Sequence, residues 1–202
     1  MFNSGLVVKT KTFLDAICYR EINYVPTKIE IPEKLIQSRS QAWVGLENII
    51  LDIIEFSKIS RGCALEFGVE FGYSTAVLAN YFANVVGVDI FTGDPHAGYH
   101  GDIYQETKNN LREFKNISLV KADYKDYISS TESFFDLIHV DIIHTYEDTH
   151  RCGLWSAEHS RCTLFHDTQS FRDVKRAVAD IARKTGKKFY NYRKCNGLGI
   201  VV

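Results

Sequence analysis

Proline is scarce in this chain, confined to Pro26, Pro32 and Pro95 among 202 residues. The five cysteines, Cys18, Cys63, Cys152, Cys162 and Cys195, are scattered, odd in number and form no C-x-x-C pair. That excludes a disulfide framework and a cysteine zinc site, and the thiols read as reduced and intracellular. No apolar run approaches the ~20 residues a membrane helix needs, and residues 5–8 before Lys9 and Lys11 are too short for a signal-peptide core. Neither charge sign prevails, with 24 Lys and Arg against 25 Asp and Glu. The chain therefore lacks the basic footprint of a nucleic-acid or anionic-membrane binder. No internal repeat or low-complexity tract is visible. A cytoplasmic protein with neither nucleic acid nor membrane as partner is expected.

What the chain does contain is enough apolar residue for one full core. Pro26 and Pro32 bracket an extended stretch. From residue 33 to about 60, Leu35, Trp43, Leu46, Ile49, Ile50, Ile53, Ile54 and Ile59 recur at steps of three and four, which predicts one or two amphipathic helices ending near Gly62. Residues 1–60 are thus read as an N-terminal extension with helices, serving as a lid or as the contact of a homodimer, and residues 61–202 as the core. In that core, candidate strands at 63–67, 85–89, 117–120, 135–140 and 163–165 alternate with candidate helices at 74–82, 104–114, 146–158 and 171–184. Strands rich in Val, Ile, Leu and Phe without polar alternation suit a parallel sheet covered on both faces. Asn196-Gly197, flanked by 188–192 and 198–202, signals a terminal antiparallel hairpin. The expected fold is α/β, Rossmann-like and doubly wound: a mostly parallel seven-stranded sheet with a C-terminal antiparallel hairpin and N-terminal helices.

Within this pattern, Cys63-Ala64-Leu65-Glu66-Phe67-Gly68 reads as a strand running into a glycine turn, and Gly72 follows four residues after Gly68. Each glycine lets backbone approach a ligand more closely than a side chain would permit. Asp89 closes the next strand about twenty residues on, where it can accept hydrogen bonds from ribose hydroxyls. The dinucleotide fingerprint G-x-G-x-x-G is altered here to E-x-G-x-x-x-G. A carboxylate beside a diphosphate repels it, whereas beside a sulfonium and an amino group it attracts. The pattern resembles motif I of the class I S-adenosylmethionine-dependent methyltransferases, which also end in an antiparallel hairpin. That resemblance implies S-adenosylmethionine as cofactor, with Glu66, Gly68, Gly72, Ser74 and Asp89 around its methionine and ribose. Asp123 would meet the adenine amino group, with Tyr124 alongside the base. Asp123 can equally cap a helix over 125–129.

The ends of the next two strands carry further polar residues. Strand alternation puts His139 and Asp141 on one side, the turn after them brings His144 toward the same crevice, and the following strand ends in His166-Asp167-Thr168. Two carboxylates flanked by imidazoles can hold a divalent cation, with oxygen ligands favouring Mg²⁺, Ca²⁺ or Mn²⁺. D-x-x-H-x-Y-E and H-D-T resemble the metal-dependent O-methyltransferases of natural-product sugars and the cephalosporin hydroxylase-like proteins. The resemblance implies Asp141 and Asp167 as metal ligands and His144 as the base. His166 stands where some members have glutamate; as a softer, neutral imidazole it either joins the metal set with a different metal or has another role. The Pro-Gly-Gly turn usual before that strand is replaced by His159-Ser160-Arg161-Cys162. Bland readings stand beside these: Asp141 or Asp167 as helix caps and His144 as a loop residue. Glu147, Asp148, Arg172, Asp173 and Lys175 read as solvated charges at helix starts.

Residues 91–102, rich in glycine and histidine, follow the ribose position and suit a lid or a substrate contact, with His96 and His100 a weaker metal pair. The expected activity is S-adenosylmethionine-dependent O-methylation of a hydroxyl on a small molecule or sugar, assisted by a divalent cation. Two rivals are an NAD-dependent oxidoreductase and a non-catalytic protein retaining the methyltransferase fold.

Overall fold

The computed structural model describes residues 21–39, 42–93, 99 and 101–202. Eight strands form one sheet: β1 (Ile22–Asn23), β2 (Cys63–Phe67), β3 (Asn84–Asp89), β4 (Ile117–Lys121), β5 (Phe135–Val140), β6 (Ser160–His166), β7 (Phe189–Tyr192) and β8 (Leu198–Val201). Their order is β1-β7-β8-β6-β5-β2-β3-β4, and every pairing is parallel except β6 with β8 and β7 with β8. The helices are α1 (Ile50–Ser57), α2 (Tyr73–Ala79), α3 (Tyr104–Asn110), α4 (Tyr124–Ser130), α5 (Tyr146–Glu158) and α6 (Arg172–Thr185). None of these helices is long and apolar enough to cross a membrane.

Strand alternation divides the core into two layers. Ala64, Leu137 and Leu164 point to one face and pack with Ile50, Ile53, Val77 and Leu78 of α1 and α2. Their neighbours Leu65, Ile138 and Phe165 point to the other face and pack with Cys152, Val178 and Ile181 of α5 and α6. Both faces are covered, which is why these strands read as continuous apolar runs. Helix α6 shows the local logic. Its Val174, Ala177, Val178, Ile181 and Ala182 are buried at three- and four-residue steps, and Gly186, with φ of 70°, stops it in the left-handed region.

The N-terminal part departs from expectation. Helix covers only α1 and a preceding 3₁₀ turn, Glu47–Ile49. Leu35 is exposed, and Gly45 adopts a φ of 101° that an α-helix does not allow. Lys58, not Gly62, takes the left-handed cap position, and its N–H donates to the carbonyls of Ile54 and Glu55. Gly62 instead donates its N–H to Asp136 (2.9 Å). The sheet also has one strand more than expected, because β1 pairs in parallel with β7. Two residues carry no periodic signal. The strand is held by the residues just beyond it: the Tyr24 N–H bonds the Asn191 carbonyl (2.9 Å), and buried Asp52 receives the Tyr24 hydroxyl and the Thr27 hydroxyl (2.7 Å). Ile50, Ile53 and Ile54 of α1 are buried in the core, whereas Phe56 is exposed.

Candidate active site

Strand order reverses around β2, since β3 and β4 lie to one side and β5 and β6 to the other. Ligands of open α/β sheets gather at this switch point, beyond the carboxyl ends of the strands. A cavity of about 520 Å³ opens there, within the size range of small-molecule sites. Gly68, Asp89, Asp123, Tyr124, Asp141, His144, His166 and Asp167 all line it.

Three expected cofactor residues, Glu66, Gly72 and Ser74, do not line the cavity. Glu66 is fully buried under the turn, where it accepts the Thr75 hydroxyl and lies 2.8 Å from His139 Nδ1. Glu66 and His139 are register partners on β2 and β5, so this is a direct cross-strand pair, and the Trp43 ring meets the imidazole nearly at right angles with centroids 5.0 Å apart. Gly72 caps α2 with φ of 92°, and a Cβ there would meet Leu111 at 2.8 Å. Ser74 is buried within α2. Gly68 has a different first neighbour from the one expected: a Cβ on it would lie 1.7 Å from the carbonyl oxygen of Asp141. The glycine is required by contact between the ends of β2 and β5 before any ligand is considered.

On the β3 and β4 side, Asp89 organises the turn. Its carboxylate accepts the N–H groups of Val69 (2.7 Å), Glu70 (2.9 Å) and Phe91 (2.6 Å). Asp123 caps α4 by accepting the Lys125 N–H (2.8 Å) and still lines the cavity, so its two readings coexist. The Tyr124 hydroxyl donates to Asp148 (2.6 Å), and burial followed by that carboxylate raises its pKa.

On the β5 and β6 side the polar residues converge. His144 Nε2 lies 2.8 Å from Asp167 and 3.8 Å from Asp141, and its ring stacks on Phe171 at 4.1 Å and 9°. His166 Nδ1 lies 3.1 Å from Asp141 and 3.4 Å from Asp167, and its Nε2 is 3.2 Å from the Ala42 carbonyl. Burial works against charge on these imidazoles, but Asp141 and Asp167 outweigh it and raise both pKa values to about 9. For Asp141 burial likewise opposes charge, and His166 and His144 overcome it, holding the carboxyl far below its usual range. The capping alternatives do not apply to these side chains. Thr145 caps α5, and Phe171 precedes α6 without a side-chain cap, while Asp167, at φ of 61°, offers only its carbonyl to the Phe171 N–H (3.0 Å).

Donor atoms of Asp141, His144 and Asp167 lie within 4.8 Å of one another, which suits one divalent cation. The third place in that group belongs to His144, where His166 was expected. His166 nevertheless keeps a feature of a ligand: its buried Nδ1 faces both carboxylates, while Nε2 faces a carbonyl. A proton fixed on Nε2 by Ala42 would leave the Nδ1 lone pair toward the carboxylates, the usual support of a metal-bound imidazole.

Two wall residues escaped the sequence reading. Asp148, read as a solvated charge, takes the hydroxyls of Tyr124 and Thr145 (2.8 Å) and lies 3.0 Å from Lys125 Nζ; Thr145-x-x-Asp148 was its signal, a capping pattern. Glu70, between the two glycines, lines the cavity with a positive φ of 50°. His96 and His100 lie outside the described residues.

A parallel sheet closed by one antiparallel strand, with a glycine turn facing an acid at the next strand end, defines the class I methyltransferase type of α/β fold. The chain belongs to a family described as a methyltransferase domain, which matches residues 65–168, just over half of its length. No curated protein matches it in sequence. Among solved structures it is similar to the O-methyltransferase NovP, with a TM-score of 0.60 at 14% identity over 75% of each chain. It is also similar to an O-methyltransferase from Bacillus cereus in complex with SAH, with a TM-score of 0.57 at 14% identity over 100% of this chain and 93% of that one. A third likeness is to the N-methyltransferase NodS from Bradyrhizobium japonicum, with a TM-score of 0.57 at 14% identity over 82% of this chain and 97% of that one. These names span oxygen and nitrogen acceptors, so the shared fold does not select the acceptor atom.

Proposed function

We propose that this chain uses S-adenosylmethionine to methylate a hydroxyl of a small molecule or sugar, with a divalent cation at Asp141, Asp167 and His166. The observation that carries the reading is one cavity in which the Gly68 turn and Asp89 face Asp141, His144, His166 and Asp167. When bound, S-adenosylmethionine supplies an electrophilic methyl, and the cation supplies charge that lowers the pKa of the acceptor hydroxyl. Asp89 holds the ribose and Asp123 and Tyr124 border the adenine. Asp141 and Asp167 are what hold a proton on His144, so with their charge taken up by the cation His144 would take the acceptor proton at Nε2, its ring plane fixed by Phe171. His166 is assigned to the metal because the Ala42 carbonyl orients its Nδ1 toward both carboxylates, and the base role falls to His144. Aligning hydroxyl oxygen and methyl carbon away from water supplies much of the remaining acceleration.

Calorimetric titration with S-adenosylhomocysteine and with NAD tests the cofactor, and binding of NAD alone would refute the reading. Transfer of labelled methyl from S-adenosylmethionine to a panel of hydroxylated small molecules and sugars tests the reaction. His144→Ala should abolish transfer and leave cofactor affinity nearly intact. Equal loss of both would remove His144 from the base role.

A further inference from the structure

We propose that Glu70 is the carboxylate by which this chain prefers the positively charged methyl donor over its neutral, demethylated product. The inference rests on the cofactor reading above. In the sheet, Asp89 at the end of β3, the turn after β2, Asp141 after β5 and Asp167 after β6 stand on consecutive neighbouring strands. A ligand with its ribose at Asp89 and its reacting methyl near His144 must cross the β2 turn, so its sulfonium passes over Gly68–Glu70. Two carboxylates belong to this turn. Glu66 points inward to Thr75 and His139, and only Glu70 borders the cavity.

The backbone of Glu70 is fixed from both sides. Its N–H donates to Asp89 (2.9 Å), its carbonyl accepts the Thr107 hydroxyl (2.7 Å), and φ is 50°. A non-glycine residue in this region persists only where its surroundings impose it, and such positions cluster at functional sites. The residue is thereby presented at the place where the two forms of the ligand differ. A sulfonium carries a full positive charge and the thioether left after transfer carries none. At a separation of a few ångströms and the effective dielectric of a partly open site, one carboxylate discriminates the two by about tenfold or more. The same charge would assist discharge of the product, since attraction ends with the transfer of the methyl.

The test is calorimetric titration of the full chain with S-adenosylmethionine and with S-adenosylhomocysteine. Glu70→Gln should weaken the sulfonium ligand about tenfold and change the thioether less than about threefold, by the same Coulomb argument. Glu70→Asn is a second neutral variant whose side chain tolerates the left-handed backbone, which guards against a Gln variant that fails to fold. Glu70→Asp keeps the charge and should keep the preference. If both neutral variants retain the wild-type ratio of the two affinities, or lose both ligands equally, Glu70 is not the discriminating group. If the unmodified chain binds neither ligand, the cofactor reading itself fails, and this inference with it.

Discussion

Replacing Gly68 by alanine separates two demands made at one position. Its φ of 89° is unfavourable for any side chain, at roughly 1–2 kcal/mol. The added Cβ would also sit 1.7 Å from the Asp141 carbonyl oxygen, whereas ordinary contact begins at 3.4 Å. The end of β2 or of β5 must therefore retreat by well over an ångström, an overpacking penalty of about 1–3 kcal/mol. Together these give about 3 kcal/mol, which for a chain of this length lowers Tm by roughly 6–12 °C. Gly186→Ala is the matched control, because φ there is 70° and nothing lies within 4 Å of the added Cβ. It should lose only the backbone part, roughly 2–8 °C. Thermal melting of the two variants by circular dichroism measures the difference. If Gly68→Ala melts with Gly186→Ala, the contact between the β2 turn and Asp141 does not constrain the site and the account of the turn is wrong.

The remaining predictions concern charge. Because the folded pKa values of His144 and His166 are raised to about 9, the folded state binds more protons than the unfolded one between pH ~6.5 and 9. Their contribution to stability is full below that window and is lost as pH rises through it, while that of Asp141, whose pKa is depressed, is lost on acidification below its unfolded value. Chemical denaturation at pH 6 and pH 9.5 should show the decline, and His144→Gln with His166→Gln should flatten it. Mn²⁺ binding, followed by electron paramagnetic resonance, should weaken at least tenfold in Asp167→Asn and be accompanied by proton release from the imidazoles; unchanged binding would dismiss the cation site. His139→Leu leaves the fully buried Glu66 side chain without its cross-strand hydrogen-bond partner and should destabilise by about 1–3 kcal/mol; equilibrium denaturation of the variant reads this directly.

Periodicity was sufficient wherever an element buries a regular face. Helices α5 and α6 and strands β2, β3 and β5 appear within a residue or two of their expected bounds, because their apolar spacing is what the core uses. The N-terminal segment escaped the same reasoning. Leu35 and Trp43 share a helical spacing with Ile50 and Ile53, yet Leu35 is exposed and Trp43 packs against His139 from a turn. Spacing records which residues are apolar and not which contacts they find. At the site, Asp141, His144, His166 and Asp167 were legible because each ends or follows a strand that could be placed. Glu66 misled because its face depends on a cross-strand partner, His139, seventy-three residues away. Glu70 was invisible for the converse reason: only the backbone bonds of the turn direct it to the cavity.

The contact between Gly68 and the Asp141 carbonyl is the seam between two halves of the chain. On one side, β2 to β4 carry the groups suited to a nucleoside; on the other, β5 and β6 carry those suited to proton and metal chemistry. A division of this kind leaves the loops after β5 and β6 open to change without disturbing the half built from β2 to β4. New acceptors can be recruited by changing one flank while the seam, which tolerates no side chain, preserves the alignment of the two.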